Sequence, residues 1–494
     1  MKRTKILAAS LAVGAVLAGS VTMATPAEAH PRQRGVQNVI YLLGDGMGRT
    51  HVTAGRERFY GAAGRLNMET MPVHGFVRTY SVLENSGQPG QRDFKPNLVT
   101  DSASSATAWA SGVKTYNAAL GVDAKGNVKA TAMELAKKAG YRTGNVSTAE
   151  ITDATPAGQA SHVLMRGCQG PTYSAASCQN LDITGTELPT NDIRVTPVAK
   201  QIARNGTADV ILGGGLARFD AADEKALTAQ GYQVLSSPTE QQVATRADLS
   251  RARGGKVFGL FNRGNLTVEK AKADNPSAPQ AKEPTLAEMT TKAISLLDSS
   301  KGRHGKGFYL QVEGALIDKR SHANDAAQTL GEIKAFDDAV KVALDFAKRD
   351  GNTLVIVTAD HECAGFNIIE KGTFTNAEAA NPPVNVDAGN PANNSNPSRP
   401  AGNTKDSSRS TGIVNGEGAN DPHNFAPATF RTADDPRGVK DGAPEASLWL
   451  TYLSGNHTGA DVPIYAYGWG SEQLQGTVEN TDLFRIVTRA LRVA

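Results

Sequence analysis

Short apolar runs recur along the chain, and most of them end in glycine or in a polar residue. Runs of this length predict buried strands of a parallel sheet, and apolar residues at helical spacing between them predict amphipathic helices. The predicted strands cover residues 39–43, 141–147, 209–212, 307–312, 353–358 and 463–467, and the predicted helices cover 130–139, 195–203, 286–297, 332–348 and 482–491. Because strands alternate with helices, we expect an α/β protein, a doubly wound three-layer α/β/α sandwich with a mostly parallel central sheet.

One further helix is predicted directly after residue 101, and the sequence marks both of its ends. Asp101 is a favourable N-cap, and Gly112 is a favourable C-terminal cap. Ser102 then lies in the first turn, where free backbone N–H groups favour a bound anion. A serine hydroxyl there is well placed to attack a phosphoryl group, given a means to remove its proton. The pattern also fits a capped core helix with a spare hydroxyl, so this stretch alone leaves both interpretations open.

Residues that can ligate metal ions follow several of the predicted strands. Because ligands of open α/β sheets collect at the carboxyl ends of the strands, we expect these side chains to meet. They are Asp45, Asp153, Thr155, Glu313, Asp360 and His361. Zinc binds carboxylate oxygen and imidazole nitrogen, whereas magnesium binds carboxylate, hydroxyl and water oxygen.

Two more candidate ligands, Asp318 and His322, are four residues apart, and a lone His457 follows much later in the chain. On a helix the i, i+4 spacing places both side chains on one face, where they can bind one ion. A single pair of this kind is common by chance. Carboxylates at nearly every strand end, together with separately placed histidines, indicate a metal centre.

Composition and charge limit the classes of partner. Of 494 residues, 39% are hydrophobic and 50 are glycine, which predicts a globular, loop-rich protein. The formal net charge of +3 gives no electrostatic reason to expect a nucleic-acid partner. Residues 372–446 are rich in asparagine, proline, glycine and serine and poor in large apolar residues. This composition predicts a loop-rich surface insertion.

The first 29 residues carry the pattern of a Sec-type signal peptide. A basic start is followed by an apolar stretch over residues 6–21 and by Ala27-Glu28-Ala29, a small-x-small cleavage site. We therefore expect a mature protein over residues 30–494 that is secreted or periplasmic. No later stretch is long and apolar enough to span a bilayer, so we expect no membrane partner for the mature form.

The chain has three cysteines, and their positions differ in kind. Cys168 and Cys178 lie close together in a polar loop, and an exported protein favours a disulfide between them. Cys363 is left over. We predict a buried free thiol there, with a metal-binding role as the less favoured alternative.

Motifs from most of the chain together resemble those of bacterial alkaline phosphatases. They are Gly44-Asp45-Gly46-Met47-Gly48, Thr100-Asp101-Ser102-Ala103, Asp153-Ala154-Thr155-Pro156, Val312-Glu313-Gly314, Asp318 to His322, Thr358-Ala359-Asp360-His361 and His457-Thr458-Gly459. The resemblance runs from about residue 37 to the end, in the same order, and weakens only in residues 372–446. It implies that the protein hydrolyses small phosphate monoesters to an alcohol and inorganic phosphate.

The resemblance also implies a role for each matching residue. Ser102 would be the nucleophile that becomes phosphoserine, Arg166 would bind the phosphate, and Asp101 would orient that arginine. Lys319 would lie near the phosphate. The implied metal ligands are Asp318, His322 and His457 for one zinc, Asp360 and His361 for a second, Asp45 between the second zinc and a magnesium, and Thr155 and Glu313 for the magnesium, whose waters Asp153 would hold.

The resemblance thus implies two Zn²⁺ and one Mg²⁺ per chain. Aspartate at position 153 and lysine at position 319 are the residue types that accompany magnesium among the relatives. Glu362-Cys363-Ala364, directly after His361, departs from the enteric members, and the chain lacks the cysteines for their second disulfide. Members of the family occur as two-fold dimers and as monomers, so a homodimer stays open.

Other functions fit the sequence less well. A sulfatase needs proline and arginine after its nucleophile, and Ser102-Ala103-Ser104-Ser105-Ala106 has neither. Phosphodiesterase relatives typically use threonine as the nucleophile and lack the arginine that Arg166 matches. A catalytically silent phosphate- or metal-binding protein would be expected to have lost Ser102, Arg166 or a zinc ligand, and the sequence retains all of them.

Overall fold

The computed structural model describes residues 37–299, 305–372, 389–393 and 428–493. The predicted signal peptide lies outside these ranges, and so does most of the predicted insertion. Among the described helices, none combines the length and the apolar character needed to cross a membrane.

Parallel strands form the centre of a ten-stranded sheet. The strands in chain order are β1 Asn38–Gly44, β2 Val73–Arg78, β3 Ser81–Val82, β4 Pro96–Asn97, β5 Arg142–Glu150, β6 Val210–Gly214, β7 Gln233–Val234, β8 Val257–Leu260, β9 Phe308–Gly314, β10 Thr353–Thr358, β11 Glu362–Cys363, β12 Asn367–Ile368, β13 Ala428–Phe430, β14 Leu448–Thr451, β15 His457–Thr458, β16 Val462–Tyr467 and β17 Gly476–Glu479. The order across the large sheet is β17-β2-β16-β10-β1-β9-β5-β6-β8-β7. Of these strands, β16 runs antiparallel to its neighbours β10 and β2, whereas the other pairings are parallel.

Helices cover both faces of this sheet. They are α1 Arg49–Tyr60, α2 Ser102–Ser111, α3 Ala132–Lys138, α4 Ala154–Ala157, α5 Ala175–Cys178, α6 Val198–Asn205, α7 Ala221–Ala229, α8 Arg246–Arg251, α9 Glu269–Asp274, α10 Leu286–Ser299, α11 Leu316–His322, α12 Ala326–Asp350 and α13 Asn480–Ala490. One layer contains α10 and α12, which pack together against β5, β9 and β10, and the other contains α2, α3 and α13. The middle strands are buried along their whole length, as strands covered on both faces must be. The predicted α/β/α sandwich with a mostly parallel sheet is confirmed.

Small strands outside the large sheet bring distant segments to its edge. β11 pairs with β15, so that Glu362 lies opposite Thr458 and Cys363 opposite His457. A three-stranded sheet, β12-β14-β13, packs its own apolar cluster around Phe366, Phe430, Leu450 and Tyr452. Its strand β13 comes from the described end of residues 372–446, so this part of the predicted insertion contributes to a buried core.

The register of the central strands explains where the candidate site forms. Leu43 at the end of β1 lies beside Glu313 of β9 and Thr358 of β10, and Ser147 of β5 lies on the other side of Glu313. The chain segments that leave these strands therefore begin at one edge of the sheet. This is the edge where open α/β sheets bind ligands.

Candidate active site

Ser102 is the first residue of α2, and the capping residues fix its place. The Asp101 side chain accepts a hydrogen bond from Ser104 N at 2.9 Å, and Gly112 ends the helix with a φ of 75°. The helix is buried throughout, and its small residues allow this close packing. Ser102 Oγ lies 3.1 Å from His361 Nε2. The predicted capped helix is confirmed, and its serine faces a histidine from another strand end.

Two groups of carboxylates and histidines lie next to each other beside Ser102. The first group is Asp45, Asp360 and His361, and the second is Asp318, His322, His457 and Cys363. Within each group one ligand atom of every residue lies within 4.8 Å of the others. The rings of His361 and His457 stack at a centroid distance of 3.5 Å, so the two groups adjoin.

Local backbone structure presents the first group. Asp45 lies in the turn between β1 and α1, and Gly46 in that turn has a φ of 67°. A Cβ on Gly46 would lie 2.7 Å from Asp318 Oδ1, so this position has no room for a side chain. Asp360 accepts a hydrogen bond from Gly46 N at 3.0 Å, which ties the two loops together. His361 Nε2 is 3.1 Å from Asp360 Oδ2 and 3.7 Å from Asp45 Oδ1.

The second group combines a helix with a short strand. Asp318 and His322 share one face of α11, as their spacing predicts, and His322 Nε2 lies 3.2 Å from Asp318 Oδ2. His322 Nδ1 donates to Gly455 O at 2.6 Å, and His457 Nδ1 donates to Thr100 O at 3.0 Å. Because each Nδ1 is bonded to a backbone carbonyl, the Nε2 atom of each ring remains to bind a metal ion, and the two Nε2 atoms are 3.0 Å apart.

A third set of side chains lies at the ends of β9 and β5. Ser147 Oγ donates to Glu313 Oε2, and Thr155 is buried beside the same carboxyl group. Asp153 caps the short helix α4 through Ala154 N at 2.8 Å. Burial, followed by the charge of Asp153, raises the pKa of Glu313 above its usual value.

Asp153 also joins two cations in one network. Arg166 donates to Asp153 Oδ1 at 2.8 Å and to Asp101 Oδ2 at 3.2 Å, while Lys319 donates to Asp153 Oδ2 at 2.7 Å. Burial disfavours the charge of Asp153, but Lys319 and Arg166 outweigh it and hold its pKa well below the usual range. Arg166 keeps further N–H donors for a ligand, because a guanidinium has five.

Asp45 has less compensation than Asp153. Burial raises the pKa of its neighbours Asp318 and Asp360 too, but the charges of nearby histidines outweigh burial and lower both. Burial first, then the charges of Asp318, Asp360 and Glu313, raise the pKa of Asp45 well above its usual value. Within the described part of the chain, buried oxygens of Asp45, Asp318 and Asp360 have no hydrogen-bond donor. Crowded acceptor atoms of this kind, mixed with imidazole nitrogens, fit divalent cations. The residues present therefore suit the metal ions that the sequence implied.

Comparison with known proteins now adds to this geometry. A family model described as alkaline phosphatase matches residues 36–493. The chain belongs to the alkaline phosphatase family. It is 42% identical over 352 residues to an alkaline phosphatase of Escherichia fergusonii, covering 66% of this chain and 70% of the relative. It is 34% identical over 488 residues to alkaline phosphatase H of Pseudomonas aeruginosa, covering 92% and 85% of the two chains.

A solved structure supports the same assignment. The alkaline phosphatase of the Antarctic bacterium TAB5 superposes with a TM-score of 0.61 at 25% identity, covering 93% of this chain and 100% of that one. A variant of the TAB5 protein has been solved with Mg bound in its M3 site. Membership of the alkaline phosphatase family makes this chain an enzyme, a metal-binding hydrolase, and supports phosphomonoesterase activity.

In this alkaline phosphatase, several supporting residues have roles that only the structure reveals. Glu362 accepts hydrogen bonds from Thr458 Oγ1 at 2.5 Å and from Phe366 N at 3.0 Å, which fastens the strand that carries His457. Asn117 Oδ1 accepts from Ser104 Oγ at 3.0 Å and from Ser81 Oγ at 2.7 Å. The departure at position 362 was visible in the sequence, but its partner, almost a hundred residues later, was not.

The cysteines behave as predicted. Cys168 and Cys178 form a disulfide across a sequence separation of 10 residues. Cys363 is a buried free thiol, and its Sγ donates to Asp318 O at 3.7 Å. Cys363 belongs to the second group of possible ligands, so the less favoured metal-binding alternative also has a structural basis.

Proposed function

We propose that this alkaline phosphatase is a secreted or periplasmic, metal-dependent phosphomonoesterase that works through a phosphoserine on Ser102. One observation carries the proposal. Ser102 Oγ, at the start of α2, lies 3.1 Å from His361 Nε2, beside two adjoining groups of metal-ligating side chains, the first of which is fully buried. A serine that only packs in a core helix would not be expected to lie beside such groups.

The metal ligands follow the groups that the fold assembles. Asp318, His322 and His457 would hold one zinc, and Asp360 and His361, with Asp45, a second. Asp45, Thr155 and Glu313 would hold magnesium, with Asp153 next to its waters, and the TAB5 variant with bound Mg supports this assignment by analogy. When bound, zinc lowers the pKa of a coordinated hydroxyl or water and stabilises the charge that develops on transferring oxygens.

The chain's own residues position the phosphate. Arg166 is held by Asp101 and Asp153, so its planar fork is preorganised to bind two phosphate oxygens. The first N–H groups of α2 lack helical acceptors and favour negative charge at the same place. Lys319, fixed on Asp153, adds a positive charge nearby.

The reaction proposed has two displacements at phosphorus. In the first, the Ser102 Oγ–P bond forms, the ester P–O bond breaks, and the serine proton leaves as the alcohol takes up a proton. In the second, the oxygen of a water molecule forms a bond to phosphorus as the P–Oγ bond breaks, the water gives up a proton while Ser102 Oγ takes one up, and inorganic phosphate departs. Arg166 would bind equatorial phosphate oxygens in both steps, whereas Ser102 Oγ forms and then breaks the bond to phosphorus.

The remaining parts of the proposal concern processing and assembly. Residues 1–29 would be removed as a signal peptide, leaving residues 30–494 as the catalytic domain with an insertion at about 372–446. A homodimer is compatible with what is known of the family. The expected partners are small phosphate monoesters.

Trapping of the covalent intermediate tests the proposal directly. After acid quenching of the enzyme with labelled phosphate, the label is expected on the peptide that contains Ser102, and Ser102→Ala is expected to lose both the label and at least about 10³-fold in kcat. Ser111→Ala is the matched control, because Ser111 ends the same helix and its hydroxyl bonds, among the described residues, only to Thr107 O at 2.7 Å. Label retained by Ser102→Ala on that peptide would overturn the nucleophile assignment.

A diesterase on the same fold is the competing enzyme. Rates on an aryl phosphate monoester and on the corresponding bis-aryl diester distinguish the two, and the monoester is expected to react much faster. Arg166 favours the monoester, because it matches a phosphate group with several free charged oxygens.

A further inference from the structure

A polar cavity of about 460 Å³ is lined by residues of α1, β2 and β16, and it shares no lining residue with the two metal-ligating groups. We call it the arginine cavity, because Arg49, Arg56 and Arg65 line it together with Glu69, His74 and Tyr465. It is comparable in size to small-molecule sites. The family resemblance assigns none of these residues a role.

Helix and strand periodicity bring the donors together. Arg49 and Arg56 are seven residues apart on α1, so they lie on one face of that helix. Arg65 comes from the loop that follows α1. Tyr465 on β16 lies directly opposite His74 on β2, and the two rings meet edge to face at 5.1 Å. The cavity is therefore built on regular elements.

The cavity has an excess of positive charge. Glu69 is its one acidic lining residue, and both of its oxygens are engaged: Oε1 accepts from Arg56 Nη1 at 2.7 Å, and Oε2 accepts from Leu66 N at 3.1 Å. Across the described ranges, neither Arg49 nor Arg65 has a carboxylate within ion-pair distance. Two guanidinium groups thus face the cavity without a counter-charge.

Buried donors in the wall also lack acceptors. Arg49 Nη1 donates to Tyr465 Oη at 2.9 Å, so the phenol oxygen serves as an acceptor there. Tyr465 is 1% exposed, and its own O–H has no acceptor among the described residues. Among the described residues Arg56 Nε is buried and has no hydrogen-bond partner, whereas Tyr465 Oη has one as an acceptor. Because buried donors are nearly always paired, Arg56 Nε and the Tyr465 O–H together indicate that the cavity takes up a ligand rich in acceptor oxygens.

We propose that the arginine cavity binds a phosphate-class oxyanion, either inorganic phosphate or the linked phosphates of a short oligophosphate. Arginine forks match phosphate oxygens bidentately, and a tyrosine hydroxyl supplies one more donor. The cavity has room for more than one phosphate group. The site is independent of the proposed catalytic chemistry, so it stands whether or not Ser102 is the nucleophile.

Equilibrium dialysis of the metal-loaded enzyme tests the site. With labelled orthophosphate, we expect two classes of bound phosphate per chain, one at the catalytic centre and one that weakens with added salt. Arg49→Gln with Arg65→Gln is expected to remove the salt-sensitive class, while the constant for competitive inhibition by phosphate changes less than about twofold. Tyr465→Phe, which loses one donor to a charged ligand, is expected to weaken that class about tenfold.

The matched control is Lys348→Gln with Arg349→Gln, exposed residues at the end of α12 that make the same change in net charge. This variant is expected to keep both classes. Methylenediphosphonate, a diphosphate analogue that resists hydrolysis, distinguishes the sources: tighter binding than orthophosphate assigns an oligophosphate, and equal or weaker binding assigns the single ion. Thermal melting checks that each variant folds, and Tyr465→Phe alone suffices if the double variant does not.

Three results would overturn the proposal. They are a single class of phosphate in the unaltered enzyme, a second class that survives Arg49→Gln with Arg65→Gln, and equal loss in the control variant. Light scattering, which measures the oligomeric state, could give a fourth contradicting result. If the cavity variants change only the oligomeric state and leave phosphate binding intact, the arginines serve a subunit contact instead.

Discussion

Two neighbouring regions at the same edge of the sheet differ in the groups that surround their buried carboxylates. In the Arg166–Asp153–Lys319 network every carboxylate oxygen of Asp153 faces a cation at 2.7–2.8 Å. Around Asp45 the carboxylates face one another and imidazole nitrogens, and described oxygens of Asp45, Asp318 and Asp360 lack donors. We call the first region complete, because fixed cations balance Asp153, and the second incomplete, because the close partners of its carboxylates are titratable imidazoles.

The difference separates two requirements of phosphoryl transfer. In the proposed reaction the complete region would hold Arg166 in place to bind the phosphate, because Asp101 and Asp153 fix that side chain. The incomplete region would supply ligand atoms for cations, since crowded buried carboxylates are costly unless a positive charge joins them. Perturbing each region should therefore change different observables.

Chelation should produce the largest effect. Removing metal from the folded enzyme is expected to lower kcat at least about 10³-fold, because bound metal supplies several kcal/mol of transition-state stabilisation. It should also lower the melting temperature, since ligands that bind only the native state stabilise it by about 4 kcal/mol at a thousand times their Kd. Activity and calorimetry on the same samples measure both, and added zinc with magnesium should restore them. Full activity in strong chelator would contradict the account.

Arg166→Lys should have a smaller and more selective effect. Lysine keeps the charge but loses the bidentate fork, so kcat/KM for an aryl phosphate is expected to fall roughly 10- to 100-fold. Metal content should stay unchanged, because Arg166 belongs to the complete region. Asp318→Asn provides the contrast, with expected loss of bound zinc by elemental analysis. Loss of zinc in Arg166→Lys would show that the two regions are not separable.

A partly buried pair, His162 and Glu134, extends the comparison and should give the smallest effect. His162 Nε2 lies 2.9 Å from Glu134 Oε1, and its Nδ1 donates to Gly121 O at 2.9 Å. Burial lowers the pKa of His162, but the bond to Glu134 and its charge outweigh burial and raise it above 6.5. This contribution to stability is therefore full below pH 6.5 and is lost as pH rises through the raised pKa.

Glu134→Gln isolates that contribution. Glutamine can still serve in the capping box with Thr131 at the start of α3, so mainly the charge is removed. The variant is expected to be destabilised by about 1 kcal/mol at pH 6 and by less at pH 9. Urea unfolding at the two pH values measures this difference. Equal destabilisation at both would show that the pair contributes no pH-dependent stability.

The sequence predicted the elements whose patterns are local. Apolar runs located β1, β9 and β10, and the caps at Asp101 and Gly112 located α2. The helix predicted from residue 195 begins instead at Val198, after Pro197, and the helix predicted from 332 begins at Ala326, where Asp325 caps it. α1 and β2 were not predicted. α1 is polar and buries few large apolar residues, while in β2 the outward-facing Phe76 and the inward-facing Gly75 break the apolar alternation.

In the candidate site, too, the sequence predicted only what depends on local patterns. Ligand types at strand ends and the i, i+4 spacing of Asp318 and His322 pointed to a metal centre, because these signals lie within short stretches. The partners of Asp153 did not follow from the sequence, nor did the clamp of Glu362 on Thr458, since tertiary packing alone brings them together. The arginine cavity likewise joins α1 to a strand about 400 residues later.

Anomalous diffraction at the zinc absorption edge, on crystals of the metal-loaded enzyme, tests the central claim most directly. The account predicts one peak among Asp318, His322 and His457 and another among Asp45, Asp360 and His361, each within about 2.0–2.3 Å of its ligand atoms and both beside the Ser102 hydroxyl. Peaks elsewhere, or a Ser102 oxygen more than about 8 Å from both, far beyond coordination distance, would contradict it.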